Sequence, residues 1–434
     1  MTKPVVGFAG MTHLGINSAA ACAGRGFRTV CYDPDRQLVA QLESGKLPVV
    51  ELGLPELMRK CSGLLSYSAE LESLSACDQV YIAADVPTDD RGRSDLAGIQ
   101  RLIDDVISHL GERASLVVLC QVPPGFTRTL PLPRDRLYYQ VETLVFGRAV
   151  ERALHPERII VGCADPASDL PLSYREFLSA FNCPVLPMRY ESAELAKIAI
   201  NCCLVASVTV ANTLAELSER IGADWHEIAP ALRLDKRIGQ HAYLTPGLGL
   251  AGGNLERDLA TVTRLAEATG SEIGLIRAFV HNSSHRRDWV LRTLHQEVFS
   301  QAPDAVLAVL GLAYKENTHS TKNSPSLALI KHLAAWPLRL YDPVVPATAA
   351  LHRRVTACGS GLDAASGADA LVIMTPWPQF RELSVTALAR SMKGRAVIDP
   401  YRVLEAAAVT AAGLEYFTIG VPPSRGTTGN DAHA

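Results

Sequence analysis

The chain has 434 residues, 48% of them hydrophobic and 20% charged, a composition typical of soluble globular proteins and a length that exceeds one ordinary domain. Its formal charge of −3 and the lack of a dense basic block argue against nucleic acid as a partner. The ten cysteines are dispersed, with no C-x-x-C pair and no spacing typical of a metal site. We therefore expect a cytoplasmic protein of two or three domains that binds no metal.

The first half of the sequence alternates short β-branched runs with segments of helical length, the pattern of a parallel sheet with crossover helices. The predicted strands are residues 5–9, 29–32, 79–83, 116–119 and 158–161. The predicted helices between them include residues 16–23, 36–42 and 99–110. This alternation predicts an N-terminal α/β domain over residues 1–187.

The strand pattern stops in residues 188–302, which are predicted to be helical except for a glycine-rich loop at 246–254. The most apolar stretch, 198–214, contains several polar residues and has Glu194 and Lys197 within a turn of its start. It is therefore interpreted as a buried helix that does not span a membrane.

The alternation returns after residue 302 and predicts a second, smaller α/β domain over residues 303–421. Its predicted strands are residues 305–310, 338–341, 370–374 and 396–398. The tail, residues 422–434, is rich in Gly, Thr, Ser and Pro and is predicted to be disordered.

A dinucleotide-binding motif follows the first predicted strand. Residues 10–15 read Gly-Met-Thr-His-Leu-Gly, and Gly10 and Gly15 permit a tight turn whose backbone N–H groups approach a pyrophosphate. Asp33, at the end of the second strand, suits the adenosine ribose and favours NAD over NADP. Thr12 departs from G-x-G-x-x-G, so either its Cβ crowds the pyrophosphate or its hydroxyl donates to a phosphate. A strand-turn-helix without a ligand is the alternative.

Further motifs follow in a fixed order along nearly the whole chain. They are Val-Pro-Pro-Gly at 122–125, Glu142, Glu-Leu-Ala-Lys at 194–197 with Asn201, Asp-Lys-Arg-Ile-Gly at 235–239, the glycine loop at 246–258, Gly-Leu-Ala-Tyr-Lys at 311–315, Tyr-Asp-Pro at 341–343 and residues 399–403. Together they resemble the UDP-glucose/GDP-mannose 6-dehydrogenases, which oxidise the sugar CH2OH group of a nucleotide sugar to a carboxylate with two NAD molecules.

The resemblance implies the activity and the architecture of the chain. It implies an NAD-dependent nucleotide-sugar dehydrogenase of the α/β class, with two Rossmann-like doubly wound domains joined by a long central helix and a helical middle domain. Its expected partners are a nucleotide-diphosphate sugar and a second copy of the chain, which forms a homodimer through the central helix.

Four side chains suit chemistry on an alcohol. Lys197 and Asn201 are four residues apart on one predicted helix and share a face, where an ammonium and an amide would hold a developing alkoxide. The resemblance implies that Asp258 positions a water or accepts the hydroxyl proton, and that Glu142 acts in acid–base steps. The alternative for Lys197 is a surface ion pair with Glu194.

Cationic side chains and glycines are the candidate substrate-binding residues. Arg237 matches an arginine that family members provide to the substrate across the dimer interface, and Lys315 matches one that reaches the sugar or its phosphate. Gly249 and Gly252 would let the loop backbone approach the sugar. The resemblance also assigns Arg402 to the substrate, and Pro87 and Lys322 to the cofactor.

The sequence departs from the family at the catalytic centre. Alignment of residues 249–258 with the family loop puts Asn254 where the nucleophilic cysteine belongs, and an amide cannot form the thiohemiacetal and thioester of the second oxidation. Cys120 and Gln121 replace a Ser-Thr pair whose threonine helps to hold the catalytic water. Phe146 stands where a second glutamate is common, and residues 322–323 replace an Arg-Glu pair.

These departures favour a two-electron oxidation, in which Asp258 with Lys197 takes the hydroxyl proton and hydride passes to NAD. A slow second oxidation of the aldehyde hydrate with Glu142 as base, and a redox-neutral epimerisation with tightly held NAD, stay open. So does a non-catalytic nucleotide-sugar-binding protein. Cys120, Cys202 and Cys203 are weak candidates for a replacement nucleophile, because cysteine is most often a small buried hydrophobe.

Overall fold

A computed structural model of the chain describes residues 3–89 and 92–425. Its contacts divide the chain into two compact units, Met1–Ile200 and Asn201–Ala434, with the boundary inside a 32-residue helix, Tyr190–Ile221. The three predicted domains, with boundaries after residues 187, 302 and 421, stay a prediction.

The first unit is built on an eight-stranded sheet. Its strands are β1 (Val6–Ala9), β2 (Thr29–Tyr32), β3 (Leu65–Ser68), β4 (Gln79–Ile82), β5 (Ser115–Val118), β6 (Leu137–Gln140), β7 (Ile159–Cys163) and β8 (Val185–Arg189). They lie in the order β3-β2-β1-β4-β5-β6-β7-β8, and every neighbouring pair is parallel except β6 and β7. The winding reverses between β1 and β4, which is where open α/β sheets bind ligands, at the carboxyl ends of the strands.

Six helices of the first unit connect these strands. They are α1 (His13–Gly24), α2 (Arg36–Glu43), α3 (Leu54–Lys60), α4 (Ala97–His109), α5 (Ala149–Leu154) and α6 (Leu172–Ser179). The alanine-rich α1 is buried along most of its length, because small side chains let it lie close to β1 and β2.

Three strands of the first unit were not predicted from the sequence. β3 reads Leu-Ser-Tyr-Ser and β8 contains Pro187, so neither forms the continuous apolar run that marks a buried strand. Both lie at the edges of the sheet, where partial exposure and proline are tolerated. The third, β6, reads Leu-Tyr-Tyr-Gln and lies inside the sheet.

The second unit begins with a helical layer, as predicted. Its helices are α7 (Tyr190–Ile221), which crosses the unit boundary, α8 (Trp225–Leu234), α9 (Asn254–Thr269), α10 (Gly274–Arg287) and α11 (Trp289–Leu294). By length and composition, α7 is the one helix among the described residues that could cross a membrane. A single helix of this kind is weak evidence for a membrane span. Only 28% of the most apolar window of α7 is buried by other parts of the chain. The prediction that this helix is buried is therefore not confirmed within a single chain.

A second parallel sheet follows. Its strands are β9 (Leu307–Leu310), β10 (Leu338–Tyr341), β11 (Val355–Ala357), β12 (Ala370–Ile373), β13 (Ala396–Ile398) and β14 (Glu415–Phe417), and its helices are α12 (Pro325–His332), α13 (Gly361–Ala365), α14 (Val385–Ser391) and α15 (Ala406–Ala411). The order β11-β10-β9-β12-β13-β14 repeats the winding of the first sheet, with the reversal between β9 and β12. The predicted class, two Rossmann-like domains with a long central helix, is confirmed. Strands β11 and β14, three residues each, were not predicted.

The chain end differs from the predicted disordered tail. Ser424 and Tyr416 exchange two backbone hydrogen bonds, and Arg425 forms an ion pair with Glu297. Ser424 and Arg425 therefore have defined partners. The remainder of the predicted tail, residues 426–434, lies outside the described residues.

Candidate active site

The dinucleotide loop lies at the switch point of the first sheet, between β1 and α1. Gly10 has a φ of 96°, and a Cβ there would lie 2.6 Å from the Cβ of Ala84, just beyond β4. A Cβ at Gly15 would lie 1.8 Å from the carbonyl oxygen of Gly10. Both positions therefore require glycine, which keeps the turn tight and its backbone accessible to a diphosphate.

Asp33 is fixed at the carboxyl end of β2. Its Oδ2 accepts a hydrogen bond from the Met11 N–H (2.7 Å) and its Oδ1 accepts one from the Asp35 N–H (2.9 Å). Each carboxylate oxygen keeps acceptor capacity for a ribose hydroxyl, because it receives a single donor here. The glycine turn, the start of α1 and Asp33 together fit NAD, whose nicotinamide accepts hydride.

Thr12 contacts a residue that the sequence analysis did not identify. Its hydroxyl oxygen accepts a hydrogen bond from the Asp85 N–H (2.8 Å), and the Asp85 carboxylate lies 3.4 Å from the Leu14 N–H at the start of α1. The predicted cofactor residue Pro87 is two residues further along, exposed, with its carbonyl accepting from the Asp95 N–H (2.9 Å). The G-x-G pattern could not predict the contact with Asp85, because Asp85 is 73 residues from Thr12 in the sequence.

Lys197 pairs with Glu142 in the first unit. The Lys197 Nζ lies 3.1 Å from Glu142 Oε2, and both side chains are largely buried. The other Glu142 oxygen accepts from the Leu144 N–H. The structure thus brings together a cation and a carboxylate that are both candidate catalytic groups, in a setting where the contact is weakly screened.

The alternative ion pair between Lys197 and Glu194 is absent. Glu194 is buried and accepts backbone hydrogen bonds from Gly125 (2.5 Å) and Thr127 (2.8 Å). Burial raises the pKa of Glu194 despite these hydrogen bonds. Glu194 therefore anchors the Val-Pro-Pro-Gly segment, which follows the candidate residue Gln121.

Asn201 pairs with Asp258 in the second unit. The Asn201 amide donates to Asp258 Oδ2, and the Arg257 Nε lies 3.5 Å from Oδ1. Asn201 lies on α7, one turn beyond Lys197, and Asp258 lies on α9; both side chains are buried. A carboxylate beside a neutral amide donor and a cation can orient a water or accept a proton.

Asn254 is the first residue of α9. It follows Gly253, which has a φ of 97°, and it is exposed. Because Asp258 is four residues further along the same helix, the two residues share a face of α9. The amide of Asn254 thus stands one helical turn from a buried candidate base.

The glycine loop packs against its neighbours too closely for side chains. At Gly249, with a φ of 74°, a Cβ would lie 2.3 Å from the carbonyl oxygen of Ser283. At Gly252, with a φ of 85°, it would lie 2.7 Å from the ring of Tyr314. The Gly252 N–H donates to the carbonyl of Lys322 (3.2 Å), so this candidate cofactor residue lies beside the glycine loop, in the second unit.

Glu256 holds the glycine loop in place and was missed by the sequence analysis. It accepts from Arg287 (3.1 Å) and from the amide of Asn323, and Arg287 also donates to the carbonyl of Leu250 (3.1 Å). Asn323 stands where the resemblance has a glutamate, and its amide contacts Glu256. The partners are 31 and 67 residues away, which leaves no local pattern to detect.

The three candidate substrate cations lie in different parts of the second unit. The Arg237 side chain is 89% exposed and forms an ion pair with Asp235 (2.6 Å). The Lys315 ammonium lies 5.7 Å from the centre of the Tyr314 ring. Arg402 has a φ of 54° and lies 3.3 Å from Asp224. Their predicted contacts with the substrate stay predictions.

Two of the three candidate replacement thiols, Cys120 and Cys202, are poorly suited to nucleophilic attack. Cys120 is fully buried, and burial raises the pKa of its thiol to about 12. Burial, followed by the charge of Asp258, raises the pKa of Cys202. A raised pKa lowers the thiolate fraction, which is the reactive form. Cys203 is exposed. Among the described residues, no group of three or more His, Cys, Asp or Glu side chains is placed to hold a metal ion.

Comparisons with known proteins cover nearly the whole chain. Models of the UDP-glucose/GDP-mannose dehydrogenase family match residues 5–177 (NAD binding domain), 191–283 (central domain) and 308–406 (UDP binding domain). UDP-glucose 6-dehydrogenase TuaD of Bacillus subtilis is 28% identical, over 98% of this chain and 95% of the relative. A UDP-glucose 6-dehydrogenase of Pseudomonas aeruginosa is 29% identical, over 95% and 96%.

A solved structure agrees with these matches. The UDP-glucose dehydrogenase of the hyperthermophilic archaeon Pyrobaculum islandicum is 26% identical, with a TM-score of 0.81 over 96% of this chain and 97% of that one. The matched domains follow the order of the glycine turn, the central helix and the second sheet described above. The chain therefore belongs to the UDP-glucose/GDP-mannose dehydrogenase family of NAD-dependent nucleotide-sugar dehydrogenases.

Proposed function

We propose that this dehydrogenase oxidises one hydroxyl group of a nucleotide-diphosphate sugar by two electrons and releases the carbonyl product. The hydroxyl is the sugar CH2OH or a ring hydroxyl. Asn254 carries the proposal, because it aligns with the family's nucleophilic cysteine and stands at the start of α9, one turn before Asp258. An amide cannot capture an aldehyde as a thiohemiacetal, so the covalent path to an acid is missing.

The candidate thiols of Cys202 and Cys120 do not restore that path. Cys202 neighbours Asn201 on α7, but its thiol is partly buried and its raised pKa favours the neutral form. Cys120 is inaccessible. The proposed reaction therefore ends after one hydride transfer, with one NADH and one proton formed for each sugar oxidised.

The candidate catalytic side chains have distinct roles in this proposal. The Asp258 carboxylate, oriented by the Asn201 amide, accepts the hydroxyl proton. The Lys197 ammonium stabilises the developing alkoxide, and Glu142 fixes that ammonium through their 3.1 Å contact. NAD supplies the hydride acceptor when it is bound. Gln121 takes the place of a water-positioning threonine, so the water needed to hydrate an aldehyde loses a partner.

The test is the stoichiometry of the reaction. Purified protein is incubated with NAD and a panel of UDP-, GDP-, CDP- and ADP-sugars while NADH absorbance and product mass are followed. We expect one NADH per sugar and a product lighter by two hydrogens. Two NADH with an acid, an isomerised sugar without NADH, or binding without turnover across the panel would each contradict the proposal.

A pair of variants isolates the role of position 254. Asn254→Cys restores a thiol at the start of α9, where a helix N-terminus favours the thiolate. We expect it to shift the product toward the acid and the yield toward two NADH per sugar. The control Asn254→Ala, which also lacks the amide, should keep the yield at one. A yield of one NADH from both variants would show that position 254 does not limit the second oxidation.

We also propose that the chain is a homodimer formed through α7. Val210, Leu214, Leu217 and Ile221 are between 40% and 65% exposed, and their spacing places them along one face of the helix. A contiguous apolar face of this kind commonly marks a protein interface. Arg237, exposed and paired only within its own loop in the contacts described, is the proposed residue shared with the partner's substrate.

A cytoplasmic location is proposed from the state of the cysteines. All ten are free thiols, which is typical of a reducing compartment. Cell fractionation tests this location, and recovery of the protein outside the cytoplasmic fraction would contradict it.

A further inference from the structure

We infer that Asp85 lowers the affinity of the first unit for NAD by placing a carboxylate at the positive end of α1. Asp85 lies in the segment that follows β4, next to the switch point of the sheet. Its carboxylate oxygen Oδ2 lies 3.4 Å from the Leu14 N–H, in the first turn of α1. This N–H belongs to the group of backbone donors that a dinucleotide diphosphate uses in this fold.

Thr12 holds Asp85 in this position. The hydroxyl oxygen of Thr12 accepts from the Asp85 N–H at 2.8 Å, which joins the glycine turn to the segment after β4. Thr12 is the N-cap residue of α1, and its side chain makes no capping bond to the helix. The hydroxyl is thus used to fix Asp85, and the carboxylate of Asp85 takes the place of a cap.

The consequence for NAD follows from charge. The N-terminus of a helix has a positive potential that attracts anions. A carboxylate at this point neutralises part of that potential. A diphosphate must displace the carboxylate from the Leu14 N–H, and it is also repelled by it. Because Asp85 is exposed, the repulsion is moderate and is screened by salt.

The effect should be restricted to ligands that carry the diphosphate. NADH and ADP-ribose both place a diphosphate at the start of α1, whereas adenosine has none. The binding of adenosine, which depends on Asp33 and its surroundings, should not respond to Asp85. This difference between ligands separates a local effect of Asp85 from a general change in the folded unit.

Direct binding measurements on the full chain test the inference. Asp85→Asn keeps the shape and the acceptor oxygen but removes the charge, and Asp85→Ala removes both. We expect either variant to bind NADH and ADP-ribose about 3- to 10-fold more tightly than the unmodified chain at low salt, as fits an exposed charge near a helix terminus. Adenosine affinity should be unchanged.

The matched control is Glu43→Gln, which removes an exposed charge on α2 of the same unit. This variant should change neither the affinity for the two diphosphate ligands nor the affinity for adenosine.

Titration calorimetry, with NADH fluorescence as a second readout, gives the dissociation constants, and the series is repeated at high salt. The gain in affinity should shrink as salt rises. Dissociation constants for NADH within twofold of the unmodified chain, or an equal gain for adenosine, would overturn the inference. No sugar is present, so the outcome is independent of how many electrons the proposed reaction removes.

Discussion

The Asp258 carboxylate is buried beside an amide and a guanidinium group. It is 1% exposed, its Oδ2 accepts from the Asn201 amide, and Arg257 lies 3.5 Å from its Oδ1. Burial is costly for a carboxylate, and such a cost is more typical of a functional group than of a structural one. This residue is therefore the best place to test acid–base chemistry by a single substitution.

We expect Asp258→Asn to lower kcat by about 10²- to 10⁴-fold, because the amide cannot accept the hydroxyl proton. The change keeps the size of the side chain and a hydrogen bond with Asn201. NADH affinity, measured by titration, should stay at the level of the unmodified chain. A kcat within tenfold of that of the unmodified chain would assign the proton transfer to another group.

At the scale of elements, α7 is tied to α10 by a buried charge cluster. Arg286 on α10 is fully buried and lies 3.2 Å from both Glu216 and Glu219 of α7. Glu219 also accepts from the Trp289 indole (3.0 Å) and from the Gly420 N–H (2.9 Å). Burial alone would raise the pKa of Glu216, but the hydrogen bond from His285 and the charge of Arg286 hold that pKa below its usual range.

Arg286→Met should destabilise the second unit by about 3–5 kcal/mol, because it leaves two partly buried carboxylates without their common cation. Arg220→Met is the matched control. Arg220 also lies 3.2 Å from Glu216, but its side chain is 74% exposed, so we expect a change below about 1 kcal/mol. Urea unfolding followed by circular dichroism measures both, and equal losses of stability would refute the importance of burial at Arg286.

At the scale of the whole molecule, the exposed apolar face of α7 predicts self-association. Leu217→Glu places a charge in the middle of that face, where burial between two subunits would be costly. We expect the unmodified chain to be a dimer by light scattering and the variant to be a monomer with lower activity. The control is Leu351→Glu, at a leucine outside α7 that is 93% exposed. A monomeric unmodified chain would contradict the proposed dimer.

The sequence by itself determined the fold class and the cofactor. The need for glycine at positions 10 and 15 and the place of Asp33 at the end of a strand follow from local structure, while the contacts of these residues with NAD stay predictions. Most buried strands were predicted as well, because apolar runs record burial on both faces; β6 is an exception. The replacement of the family's cysteine by Asn254 rests on the sequence resemblance, and both the replacement and its chemical consequence stay predictions.

Only the tertiary structure decided which side chains meet. Lys197 contacts Glu142 instead of its neighbour in sequence Glu194, and Asn201 contacts Asp258 across 57 residues. The position of Asp85 at α1 likewise depends on the approach of the segment after β4 to the glycine turn. Each of these contacts joins elements that are distant along the chain. Sequence periodicity records which face of an element is buried, but the choice of partner depends on how the elements pack.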